Sequence, residues 1–132
     1  MITAGVTSAI VISGMIKNKK KQINEINVNI EKYTHGVANA REALEHFEKA
    51  AAEMNTIADQ VYISFKGQAA DSFTNKLYEY RDFCYKRANQ MKELIDALNT
   101  RLADFDIAKR NGEKSLQNLY VALGAAVAVS LV

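Results

Sequence analysis

The chain has 132 residues, 48% of them apolar and 24% charged, with no proline and no tryptophan. That length and balance suit one domain and exclude the charge-rich, apolar-poor make-up of a disordered chain. A net charge of +2, with the aromatics on apolar stripes, excludes a nucleic-acid footprint, and a single cysteine, Cys84, excludes an internal disulfide.

The first stretch, residues 2–16, is apolar with small residues at Gly5, Ser8, Ser13 and Gly14. As a helix it spans roughly 22 Å, short of the roughly 30 Å hydrocarbon core of a bilayer. No basic residue precedes it, and the lysines at 17–21 follow it instead, so it is not read as a Sec signal peptide. A buried helix end is the first reading, and membrane contact the second.

From Ile23 the pattern becomes regular. Ile23, Ile26, Ile30, Tyr33, Val37, Ala40, Leu44, Phe47, Ala51, Met54, Ala58, Val61 and Phe65 alternate three and four residues apart. Such a stripe predicts one continuous helix with a coiled-coil-like seam. Gly36 interrupts neither its phase nor its spacing, so at most a local weakness is expected there.

The one clear turn signal lies at the midpoint, in Phe65-Lys66-Gly67. Gly67 can adopt a positive φ without a Cβ penalty, ending one helix and reversing the chain. Small residues at Ala69 and Ala70 let the next helix start close by. A second stripe follows in Phe73, Leu77, Tyr80, Cys84, Ala88, Met91, Ile95, Leu98, Leu102 and Phe105. Its four-residue steps along Cys84–Ala88–Met91–Ile95, with one step of three between, predict a locally relaxed supercoil. Phe83, Leu94 and Ile107 widen the apolar face beyond what one seam covers, which predicts a further helix supplied by a partner.

Asn111-Gly112 reads as a second helix stop. Reflection about Gly67 sets it level with the lysines at 17–21, where the first stripe breaks. The apolar residues 119–132 then lie beside residues 2–16. The fold expected is all-α: an elongated antiparallel helical hairpin, coiled-coil-like, with apolar helical extensions at both termini. It forms a single domain over residues 1–132, with arms near 17–65 and 69–110.

Little in the sequence points to catalysis. His35 and His46 stand eleven residues apart with no ligand pair suited to zinc. Cys84 falls on the apolar stripe as a small hydrophobe, and Asp104 and Asp106 flank Phe105 on a helix surface. No nucleophile elbow, phosphate loop or Cys-x-x-Cys occurs. The expectation is a non-enzyme without metal or cofactor.

The central motif carries a resemblance. Phe65-x-Gly67-x-Ala69-Ala70-x-x-Phe73 resembles the turn of the WXG family of type VII secretion substrates, in which Trp-x-Gly is often followed by x-Ala-Ala-x-x-Phe. Here Phe stands for Trp. The likeness extends more loosely over residues 22–108, to the helical hairpins of that family and the small partners of LXG toxins. Tyr78-x-x-x-Asp82 is similar to the family's Tyr-x-x-x-Asp/Glu export signal, although the family carries that signal after the second helix. Here it lies eleven residues past Gly67.

The resemblance implies a targeting factor or chaperone-like partner that binds the helical domain of a larger LXG-type toxin, together with a second small helical partner and the type VII machinery. It further implies a cytoplasmic location before export, and secretion with the partner by a non-Sec route. Phe65, Gly67 and Phe73 would fix the turn. Ile30, Val37, Leu44, Phe47, Met54, Leu77, Met91 and Leu98 would form the adhesive seam. The alternatives are a membrane-active or membrane-anchored helical protein using its apolar ends, and a self-assembling homodimeric coiled coil.

Overall fold

The structure, a computed structural model, describes residues 3–131; residues 1, 2 and 132 of the two apolar ends lie outside the described residues. It is an all-α helical hairpin of α1 (Thr3–Ser64) and α2 (Gln68–Ser130), packed against each other. Among the described residues there is no strand.

The turn is built from backbone chemistry. The Phe65 N–H donates to the Val61 carbonyl at 2.9 Å and closes α1. Gly67 takes a φ of +120°, in the region that glycine alone enters easily. Its carbonyl accepts from the Asp71 N–H at 3.1 Å, the first bond of α2. Asp71 in that first turn places a negative charge against the positive end of the helix dipole.

By packing, the chain divides into two units, residues 34–100 and residues 1–33 with 101–132. In the unit of residues 34–100, α1 buries or half-buries Val37, Ala40, Leu44, Phe47, Ala51, Met54, Ala58 and Val61, as the stripe predicts. Ala51 and Ala58 are 0% exposed. Small side chains at the contact allow the helix backbones to approach closely. A Cβ on Gly36 would meet Leu98 Cδ1 at 3.5 Å, an ordinary contact, and α1 runs through Gly36 unbroken.

On α2 this unit departs from the predicted stripe. The seam positions, buried or half-buried, are Ala70, Thr74, Leu77, Arg81, Cys84, Ala88, Met91, Ile95 and Leu98, and Tyr78 beside them is half-buried too. Thr74 and Arg81 take the places assigned to Phe73 and Tyr80, both of which are exposed. With Arg81 in the seam, the steps to Leu77 and Cys84 are four and three, so the alternation continues and the expected relaxation has no basis in register. Choosing the more apolar neighbour misplaced these two positions by one residue, about 100° around the helix.

In the unit of residues 1–33 and 101–132, Tyr33 and Phe105 meet edge to face, with ring centroids 5.1 Å apart. Edge-to-face is one of the two favoured arrangements for an aromatic pair. Ile16, Lys19, Ile23 and Ile26 carry the α1 seam through the lysine cluster, and Lys109, Gly112 and Leu116 carry the α2 seam past Asn111. The stripes therefore do not break at the lysines, and Asn111-Gly112 does not stop α2. Lys19 and Lys109 are half-buried, which a lysine tolerates because its aliphatic stem can be covered while the ammonium group stays in water. Gly112 is buried because Ile23 fills the space beside it: a Cβ there would lie 3.1 Å from Ile23 Cγ1.

Each helix in these units is covered from one side. Among the described residues no large side chain is fully buried. A two-helix layer thus leaves much apolar area in water, and small cores of this kind gain from added cover.

Candidate functional site

Around the turn, the motif residues divide between structure and surface. Gly67 makes the reversal, and Ala70 is half-buried at the start of the α2 seam. Ala69 is exposed, as are Phe65 at 64% and Phe73 at 51%. The two phenylalanines therefore do not lock the turn, as the motif had implied. Tyr62 and Ile63 are more exposed still, and Tyr62, Ile63, Phe65, Lys66, Gly67 and Asp71 line one surface hollow. Tyr62, Ile63 and Phe65 thus present exposed apolar side chains at one hollow beside the reversal.

Further along α2 stands Arg81, a residue the stripe reading passed over. Its side chain is only 27% exposed. Nη1 donates to Asn55 Oδ1 of α1 at 3.0 Å, and Nε donates to Asp82 Oδ1 at 3.0 Å. The guanidinium also lies over the ring of Tyr78, 4.6 Å from its centroid. Arg81 is thus held by three partners and holds Tyr78 and Asp82 in a fixed relation. A planar, five-donor group is suited to such a junction, where lysine would be a point charge. The signal that could have found it was register: only Arg81 continues the alternating three- and four-residue steps.

Ile30, Val37, Leu44, Phe47, Met54, Leu77, Met91 and Leu98 are all buried or half-buried in the hairpin's own seam. The apolar surface left for another molecule is a different set. In the unit of residues 34–100 it includes Ile57, Tyr62, Ile63, Phe65, Phe73, Tyr80, Phe83, Tyr85 and Leu94. Arg87 covers part of Phe83, with its guanidinium 5.1 Å from the ring centroid.

The polar groups weighed for chemistry are scattered. His46 sits 3.8 Å from Glu42, one turn away on the solvent side of α1. Cys84 is a half-buried free thiol. Among the described residues no group of three or more His, Cys, Asp or Glu could hold a metal ion, and no helix is long and apolar enough to cross a membrane.

No protein-family model, curated protein or solved structure matches the chain.

Proposed function

We propose that the protein is a non-enzymatic, WXG-like helical partner that binds the helical domain of a larger LXG-type toxin and helps its export by a type VII route. The observation that carries this reading is the exposure of Phe65 beside Tyr62 and Ile63 in one hollow, with Phe73 exposed as well near the start of α2. A turn that served only to close the hairpin would have no use for four large apolar side chains in water. Contiguous exposed aromatics are the usual composition of an interface hot spot.

A helix from the toxin laid against this patch would remove it from solvent without disturbing the internal seam. Phe83 and Leu94 offer further apolar surface to a second small helical partner. Tyr78 and Asp82, with Arg81 fixed between them, are the pair offered to the secretion machinery as an export signal. The mechanism is helix-on-helix packing and uses no cofactor. The chain would act in the cytoplasm before export and leave with its partner.

Co-expression with the products of neighbouring genes, followed by size-exclusion chromatography, tests the reading. The wild-type chain is expected to elute with a toxin-like protein. Substituting Ile63, Phe65 and Phe73 by Ser together should abolish co-elution while helicity and melting temperature hold. Unchanged co-elution of that variant would remove the turn patch from the proposal, and capture of no such partner would remove the proposal.

A further inference from the structure

The unit of residues 1–33 and 101–132 ends in a region without charge. No Asp, Glu, Lys or Arg occurs from residue 3 to Ile16 in α1, or from Ser115 to Leu131 in α2. Gly5, Ser8, Ala125, Ala126 and Val129 line one hollow, so the two segments adjoin. Their outward surface carries large apolar side chains among small or uncharged polar ones such as Thr7, Ser8 and Ser13. Ile10 is 68% exposed, Val11 56%, Val121 69% and Val129 68%. At about 100° per residue, Val6 and Met15 flank the α1 seam on either side, and Ile10 and Val11 lie behind it. Apolar residues on every side of a helix are normally buried in something.

Immediately after this region in α1, and before it in α2, comes a collar of cations. Lys17, Lys19, Lys20 and Lys21 stand on α1, and Lys109 and Lys114 on α2. Lys19, Gln22, Asn111 and Ser115 line a common hollow, which sets the two groups at one level. Glu113 is the one acid among them, and Arg110 is already held by Asp106 at 2.8 Å. Six lysines against one glutamate leave a surplus of five positive charges, so the remainder of a chain of net charge +2 carries minus three. Among the described residues, none of the α1 lysines has an ion-pair partner. Where collar and apolar region meet, Lys20 Nζ lies 5.4 Å from the centroid of the Tyr120 ring.

Both helices therefore pass from an apolar, uncharged segment to lysines, with the amphipathic Tyr120 of α2 at the junction. A bilayer leaflet with anionic headgroups presents the matching layers in the same order. A protein groove would have no reason to confine the cations to one level. The charge-free part of α1 spans roughly 20 Å, enough to enter one leaflet and too little to cross the roughly 30 Å core.

We propose that this end of the protein docks into the interface of an anionic bilayer, with residues 5–16 and 119–131 among the acyl chains and the lysine collar on the headgroup phosphates. Flotation of the full chain with vesicles tests it, comparing phosphatidylcholine alone with phosphatidylcholine mixed with phosphatidylglycerol. The chain should float with the mixed vesicles and not with the neutral ones, and added salt should weaken binding. Replacing Lys17, Lys20 and Lys21 by Gln should lower partition about a hundredfold. Ile10→Asp combined with Val129→Asp should abolish it. All five side chains are exposed, and circular dichroism checks that the helices remain; if the aspartate variant loses helix, the glutamine variant decides. Failure to float on anionic vesicles, or flotation indifferent to the lysines, overturns the proposal. Loss of self-association in the aspartate variant, with no lipid binding by the wild type, would assign the region to a second copy of this chain and overturn it equally.

Discussion

Gly112 of α2 faces Ile23 of α1 so closely that a Cβ on the glycine would lie 3.1 Å from Ile23 Cγ1. Absence of a side chain lets α2 pass a β-branched residue without losing its register. A glycine after asparagine is here a packing residue inside a helix.

Substitution at Gly112 should therefore behave unlike substitution at other helical glycines. Gly14 and Gly124 would present a new Cβ to open space, so Gly→Ala there should stabilise by up to about 1 kcal/mol through helix propensity. Gly112→Leu should destabilise by about 1–3 kcal/mol through overpacking against Ile23. Thermal melts of the three variants give the opposite signs directly.

At Gly67 the obstacle is conformational, because nothing stands within 4 Å of a Cβ placed there. With φ at +120°, Gly67→Ala should cost about 1–3 kcal/mol, and Gly67→Val at least as much. Chemical denaturation measures this. An unchanged midpoint would mean that the chain reverses without a positive φ.

Arg81 and Asn55 form a hydrogen bond between α2 and α1 at 3.0 Å. A double-mutant cycle with Arg81→Ala and Asn55→Ala should return a coupling of about 0.5–1.5 kcal/mol. Additive effects would show that Arg81 acts through its stem and its contacts with Tyr78 and Asp82 alone.

Ala51 is wholly buried, whereas its neighbour Ala52 is exposed. Ala51→Leu should destabilise by about 1–3 kcal/mol, while Ala52→Leu should stay within about 0.5 kcal/mol of wild type. Equal effects on the urea midpoint would contradict close approach of the helices at this point.

Ser8 and Ala125 line the same hollow although they lie far apart in sequence. With Cys84 replaced by Ser, cysteines at both positions should be joined by a short bismaleimide within one chain, read by mass spectrometry at monomer mass. Products of dimer mass only would separate the two segments.

The sequence by itself determined the hairpin: no proline, one glycine in a break between two apolar stripes, and three-and-four spacing that only an α-helix can present on one side. It also exposed the surplus apolar residues Phe83, Leu94 and Ile107, because a seam of alternating positions has no room for them. What the tertiary structure decided was which neighbour enters the seam. Phe73 against Thr74, and Tyr80 against Arg81, differ by one residue, and hydrophobicity favours the wrong member of each pair. Register along the partner helix overrides it, since a seam one residue out of step would turn its later side chains away from α1. Asn111-Gly112 reads as a stop or as a close contact, depending on whether a side chain such as Ile23 stands opposite, and only the opposing helix supplies that fact. The phenylalanines of the turn motif were legible as a motif but not as surface. Their exposure follows from the point at which α1 ends and α2 begins, which packing settles and local sequence does not.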